Sequence, residues 1–184
     1  ENNATVTKEV AMMMDPTADP FAAPAPDADA PVERFGAKDA NDLSWANLLN
    51  AYTCTECGRC TSECPANLTG KKLSPRKIMM DTRDRIEEIG VNIAANGSFV
   101  DDGKSLLGDY ITNEELWACT SCNACVQACP IDIDPLNIIM KLRNFATMEE
   151  SSAPGALNAM MTNVENNGAP WPFNQMDRAN WINE

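Results

Sequence analysis

The chain contains no histidine. That absence excludes Rieske-type ligation, histidine-ligated haem and the C-x-x-C-H attachment of c-type haem. Cations are scarce as well: 14 Lys and Arg stand against 27 Asp and Glu, a net charge of -13. So acidic a chain offers no basic face to displace counterions from phosphates, and nucleic acid is not an expected partner. Apolar runs extend over only a few residues, far short of the roughly eighteen that a bilayer-spanning helix requires, and no charged, apolar and small blocks mark a signal peptide. No membrane span is expected in this chain. Neither a G-x-G-x-x-G fingerprint nor a P-loop is present, so no nucleotide site is expected. With no constellation of acid, base and nucleophile, the expected number of catalytic residues is none. Aromatic residues make up 6% of the chain, and much of its 44% hydrophobic content is Ala, Met and Cys. A chain of 184 residues has room for one domain with tails, but a large apolar core is not expected. Something besides burial has to hold it together. The first residue, Glu1, points to processing or to excision from a longer polypeptide.

Residues 1–42 read as an extended linker. The stretch "DPTADPFAAPAPDADAPVERFGAKDAND" is Pro, Ala and Asp with little aliphatic content, a composition that favours extended polyproline conformation. Before it, "VAMMMDP" fits the end of an amphipathic helix. Leu43, Trp45, Leu48, Leu49 and Tyr52 recur at helical intervals and predict a short helix. Ser74 as N-cap, Pro75 at the first helical position and Gly90 past the end bracket a second. "NG" at 96–97 and "DG" at 102–103 mark turns. Thr112 and Glu115 have capping-box spacing, and Asp134 followed by Pro135 starts a helix with Ile138, Leu142 and Phe145 on one face. No segment reads as a strand. Residues 43–150 are therefore expected to be an all-α domain, followed at 151–184 by a strap over the core or a docking segment with Trp171, Phe173 and Trp181 as its aromatics.

All eight cysteines fall in two stretches, "CTECGRCTSECP" and "CTSCNACVQACP", which share cysteine spacing, the Thr after the first Cys and the terminal Pro. This is an internal repeat. A disulfide framework needs thiols spread around the chain, whereas cysteines three apart close almost no loop. Zinc takes pairs of C-x-x-C arms, which leaves three consecutive arms unexplained. A cubane cluster has four irons, each seeking one thiolate, and a loop with a sulfur at every third residue reaches three of its corners.

The run C-x2-C-x2-C-x3-C-P is the pattern of bacterial two-cluster ferredoxins, in which the fourth cysteine ligates the other cluster. The resemblance implies Cys54, Cys57, Cys60 and Cys129 around one 4Fe-4S cluster, and Cys119, Cys122, Cys125 and Cys64 around a second. Proline disfavours helical geometry in the residue before it, a physical reason for Cys64 and Cys129 to turn from their own loops. Between the repeats lie 54 residues with helical signals, more than a compact strand-paired ferredoxin needs. From Leu43 onward, "YTCTECGRCTSECPANLTGKKLSPRKIMMDTRD", "ELWACTSCNACVQACPIDIDPLNIIMKLR" and "NVENNGAPW" resemble the alpha-helical dicluster ferredoxin domain of heterodisulfide-reductase-like, CCG-domain iron-sulfur oxidoreductases.

The resemblance implies an electron-transfer module passing single electrons through two 4Fe-4S clusters, from a flavoprotein or hydride-derived donor to quinone or a disulfide. It also implies partners: CCG-type domains, a membrane cytochrome-b-like part and a flavoprotein. This chain has no membrane helix before Cys54 and no cysteine after Cys129, so those parts are expected elsewhere. Reduced thiols place it in the cytoplasm, and the resemblance adds the cytoplasmic face of the membrane. Two other readings are a succinate-dehydrogenase-type iron-sulfur subunit, disfavoured by two complete motifs and a cysteine-free first 53 residues, and a zinc-stabilised interaction module. Lys71, Lys72, Arg76, Lys77, Arg83 and Arg85 form a basic window, read as a solvated helix face or as charges that tune a cluster. Trp117, just before Cys119, is read as a core residue.

Overall fold

The structure is a computed structural model that describes Met14 and residues 34–182. Apart from Met14, the "VAMMMDP" segment lies outside the described residues. Contacts divide the chain into two units, Glu1–Glu149 and Glu150–Glu184. The described residues include no strand, only one isolated bridge between Leu107 and Ile111, so the fold is all-α as expected.

In the first unit the helices are α1 (Trp45–Thr53), α2 (Arg59–Ser62), α3 (Pro65–Leu68), α4 (Pro75–Asn96), α5 (Asn113–Ala118), α6 (Ala124–Gln127) and α7 (Pro135–Met148). The long α4 packs against α1 and α7, and the short α2 and α6 of the two repeats pack against each other. Ile78, Met79, Leu116, Ile138, Ile139, Leu142 and Phe145 fill the interior.

Helix starts follow the predicted caps. The Ser74 hydroxyl accepts from the Lys77 N–H at 3.3 Å, and Thr112 and Glu115 satisfy each other's backbone reciprocally. The Asp134 carboxylate accepts from Asn137 N–H at 2.9 Å, with Pro135 at the first position. One predicted stop differs. Helix α4 continues through Gly90 and ends at Gly97, whose φ of 81° is the left-handed cap. An interior glycine costs about 1 kcal/mol. Burial of Ile89 and the reciprocal bonds between the Asn92 side chain and the backbone of Val100, at 2.8 and 2.9 Å, hold the extra turns.

Helix α1 forms where its periodicity predicts, with Leu43 buried just before it and Leu48 packed against the core, but the rest of the periodic set does not face inward. Trp45, Leu49 and Tyr52 are exposed, while Asn47 and Ala51 are buried. The inward Asn47 is satisfied by Ser44, whose hydroxyl donates to its Oδ1 at 2.6 Å, and by Asn137 Oδ1, which accepts from its Nδ2 at 3.3 Å. Polar pairing therefore outweighs apolar periodicity in orienting this helix.

The helical unit also takes in the last part of the stretch read as linker. Ala37 N–H donates to Lys141 O at 3.0 Å, Leu107 N–H donates to Lys38 O at 3.0 Å, and Ala37 and Ala40 are buried. Gly36, at φ 70°, is where this segment meets α7 so closely that no side chain fits.

The second unit holds α8 (Gly155–Asn167) and a 3-10 stretch, Gln175–Ile182. The Asn-rich composition does not predict this helix. Its first turn is anchored on the Pro154 carbonyl, which accepts from Leu157 and Asn158, and Gly168 at φ 65° ends it. Trp171, Phe173 and Trp181 are exposed.

Candidate metal centres

Each cysteine repeat begins where a helix ends. Cys54 and Cys119 leave α1 and α5 in extended geometry, at ψ 117° and 129°. Two residues later the backbone turns left-handed, at Glu56 (φ 57°) and Ser121 (φ 56°), and again after two more, at Gly58 (φ 78°) and Asn123 (φ 62°). The two loops thus repeat in backbone conformation as well as in sequence. Gly58 O accepts from Thr61 and Ser62, and Asn123 O from Val126 and Gln127, so each loop enters a short helix carrying the third cysteine. Turns with left-handed residues aim N–H groups into a concavity that favours anions.

Two N–H groups point at sulfur directly. Ser121 N–H donates to Cys119 Sγ at 3.4 Å and Ile133 N–H to Cys129 Sγ at 3.3 Å. The Ala124 N–H lowers the Cys122 thiol pKa in the same way. Burial raises the Cys60 and Cys119 thiols, and pushes Cys125 up to about 12. Ligation must therefore replace protons that burial favours, as strong thiolate-metal bonds do.

All eight thiols are free; Cys64 and Cys125 are buried, Cys57 and Cys122 exposed, and the other four half-buried. They line two cavities. Cys54, Cys57, Cys60 and Cys129 border the first, with Met79, Ile131 and Ile133 as apolar wall. Cys64, Cys119, Cys122 and Cys125 border the second, with Leu73, Leu136 and Ile139. Cys125 also reaches the wall of the first. The structure therefore brings the last cysteine of each repeat to the cavity of the other. Cys64, at φ -75° and ψ 117°, is the extended residue before Pro65, the geometry that proline enforces.

The residues fit a cluster better than a single ion. Among the described residues, no three Cys, Asp or Glu side chains are gathered so as to hold one metal ion. Four thiols spaced around a cavity with apolar walls suit a body with separate iron corners, each taking one thiolate.

Of the basic window, four members are committed to carboxylates. Lys72 pairs with Glu114 (2.7 Å), Lys77 with Asp81 and Glu115 (2.6 and 2.9 Å), Arg83 with Glu56 (2.6 Å), and the buried Arg85 with Asp39 and Asp102 (2.7 and 2.6 Å). Arg76 instead lines the first cavity. Trp117 packs partly buried against the core and lines neither cavity. Arg143 carries no sequence signal of its place at the second loop. Its guanidinium donates to Leu116 O at 2.7 Å, to Cys119 O at 2.6 Å and to Ser121 Oγ at 3.3 Å, and stacks over Trp117 at 4.9 Å.

Residues 53–133 match the 4Fe-4S dicluster domain family. The chain is 33% identical over 181 residues to the probable iron-sulfur-binding oxidoreductase FadF of Bacillus subtilis, covering 83% of this chain and 26% of that protein. It is 32% identical over 171 residues to the EtfAB:quinone oxidoreductase of Syntrophomonas wolfei, covering 83% and 24%. Over 110 residues it is 34% identical to one subunit of the ferredoxin/F(420)H(2)-dependent CoB-CoM heterodisulfide reductase of Methanosarcina acetivorans, covering 59% and 54%. The chain spans about a quarter of the length of the first two relatives. An all-α scaffold with two thiol-lined cavities and this match defines an iron-sulfur electron-transfer module with two 4Fe-4S clusters. More particularly, residues 53–133 form a dicluster ferredoxin-type domain, and the chain is similar to iron-sulfur oxidoreductases and to one heterodisulfide reductase subunit.

Proposed function

We propose that Cys54, Cys57, Cys60 and Cys129 hold one cluster and that Cys119, Cys122, Cys125 and Cys64 hold the other. The observation that carries this reading is the exchange of fourth cysteines between the two cavities. Each cluster, when bound, supplies reversible one-electron reduction. The chain's own part is to grip, to exclude water with Met79, Leu73, Leu136 and Ile139, and to hold N–H groups of Ser121, Ala124 and Ile133 against the sulfurs. Such bonds and burial set the potential of a thiolate-bound centre.

On this reading the module relays single electrons inside a larger oxidoreductase, from a flavoprotein or hydride-derived donor to a quinone or disulfide acceptor. The relatives' names, one an EtfAB:quinone oxidoreductase and another part of a CoB-CoM heterodisulfide reductase, support both kinds of acceptor. Its partners are then other redox subunits or domains: CCG-type, cytochrome-b-like or flavoprotein. No helix among the described residues is long and apolar enough to cross a membrane. A position at the cytoplasmic membrane face, held through a partner, agrees with free thiols throughout and with a relative named a probable membrane-anchored ferredoxin. Residues 151–184 are the natural docking segment, with Trp171, Phe173 and Trp181 exposed.

The test is serine substitution read by iron content and electron paramagnetic resonance of the reduced, anaerobically prepared protein. Cys57→Ser and Cys122→Ser identify the two signals. Cys129→Ser is expected to lose the signal lost in Cys57→Ser, and Cys64→Ser that lost in Cys122→Ser. If Cys129→Ser and Cys122→Ser lose the same signal, each repeat holds its own cluster and the grouping is wrong.

A further inference from the structure

The two loops have the same backbone but not the same charges. At the first left-handed residue of each loop, the first repeat has Glu56, neutralised by Arg83 at 2.6 Å, where the second has Ser121. The Ser121 hydroxyl meets Arg143 Nη1 at 3.3 Å. Arg143 projects from α7 and spends its other donors on backbone carbonyls, Leu116 O and Cys119 O, at 2.7 and 2.6 Å. No carboxylate among the described residues lies within ion-pairing distance of it, and the titratable group it faces is the Cys119 thiol. Burial disfavours its charge and the Cys119 sulfur favours it, but a guanidinium does not deprotonate in a protein. The result is a positive charge, half-buried and uncompensated by any carboxylate, beside the first thiol of the second cavity. The first cavity has its own cation, Arg76, but that side chain is exposed and bathed in solvent that screens it.

We propose that Arg143 is the positioning and potential-setting residue of the Cys119, Cys122, Cys125 and Cys64 site. It ties the end of α5 to the loop through two carbonyls, and its unpaired charge favours the more negative, reduced state of the cluster bound there. That cluster is consequently easier to reduce than it would be beside a neutral residue at 143. The inference rests on the ligand grouping above.

The test is an anaerobic redox titration of the full chain, both signals followed by electron paramagnetic resonance and assigned with Cys57→Ser and Cys122→Ser, with iron content alongside. Arg143→Gln is expected to shift the signal lost in Cys122→Ser to lower potential, by at least about a tenfold change in its reduction equilibrium, or about 59 mV for one electron. The other signal should move less. Arg143→Lys keeps the charge but loses the fork, so it should stay within that tenfold of the wild type while melting at a lower temperature. Full iron content with no shift in Arg143→Gln overturns the proposal, since a purely structural arginine would give that result. Where Arg143→Gln sheds the cluster, the lysine variant decides: a potential held near the wild type supports the role of charge, and a drop with charge retained overturns it. A shift confined to the signal lost in Cys57→Ser overturns it through the ligand grouping, which the Cys129→Ser result separates from the arginine's role.

Discussion

Asp39 holds the guanidinium of Arg85 through three contacts, at 2.9, 3.1 and 2.7 Å, across 46 positions of sequence. Arg85 is completely buried in α4, and its remaining donors go to Asp102 Oδ2 and Oδ1 at 2.6 and 2.9 Å and to Lys104 O at 2.9 Å. The same Asp39 accepts from Leu106 N–H at 3.0 Å. One arginine thereby joins the segment before α1, the middle of α4 and the loop beyond it. Breaking a buried pair by removing one partner costs about 3 to 5 kcal/mol, because the other charges stay without a counterion. Arg85→Met should therefore lower stability by about that amount, measured as the urea midpoint of anaerobic protein with both clusters present. A midpoint unchanged from the wild type would show that the contacts add nothing beyond packing.

The same network predicts a pH dependence. Arg85 holds the Asp102 carboxyl down at about 2, against an ordinary value of 3.8. A carboxyl depressed in the folded state adds stability that is complete above its unfolded pKa and is lost as pH falls toward the folded one. Screening at this partly exposed group reduces the contribution to about 1 to 2 kcal/mol. The stability gap between wild type and Asp102→Asn should stay constant from about pH 7 to 5 and narrow between about 4 and 2. Urea unfolding across that range, followed by far-ultraviolet circular dichroism with both chains stripped of clusters throughout, because thiolate ligation is lost in acid, measures it. Narrowing already above about pH 5 would implicate another group.

Gly36 and Gly97 both lie at positive φ, 70° and 81°, yet they should respond differently to alanine. A Cβ at Gly36 would stand 2.2 Å from Lys141 O and 2.6 Å from Phe145 N, both backbone atoms, whereas at Gly97 nothing lies within 4 Å. Gly97→Ala should show only the left-handed penalty, about 1 to 2 kcal/mol. Gly36→Ala adds a clash that α7 cannot relieve, so the segment carrying Asp39 must move off and weaken the Arg85 network. Its expected cost is about 3 to 5 kcal/mol, with faster proteolysis between Arg34 and Asp42. Equal effects from the two variants would mean that this segment is not anchored as the structure shows.

What could be read from sequence divides by range. The caps at Ser74, Thr112 and Asp134 were legible because a cap bond spans only three residues. The two thiol-lined cavities were legible because the repeated cysteine spacing suits a body with several iron corners. Gly90 misled because one glycine does not end a helix whose next turn is tied down, here by Asn92 to Val100. The face of α1 was hidden by a partner 90 positions away, Asn137. Glu56 and Ser121 gave no sign of left-handed backbone, since glycine is the usual marker and only Gly58 supplied it. Arg85 looked like solvated charge because its partner Asp39 is distant in sequence, and Arg143 gave no signal because its partner Leu116 is distant as well.

Those left-handed residues carry a prediction about cluster removal. Left-handed backbone at a residue other than glycine costs about 1 to 2 kcal/mol, and here it occurs at Glu56, Ser121 and Asn123. Little local packing opposes it: of the loop cysteines, Cys57 and Cys122 are exposed. Ligation is then what holds the loops, and extraction of iron under anaerobic, reducing conditions should release them first. The interior around Ile78, Ile138 and Leu142 lines neither cavity and keeps its apolar contacts. Hydrogen exchange should accordingly rise by orders of magnitude at residues 54–64 and 119–133, with α4 and α7 opening later and at higher denaturant. Because the fourth thiol of each cavity comes from the other repeat, loss of one cluster should loosen both loops together. Exchange confined to a single loop after selective loss of one cluster would contradict that coupling.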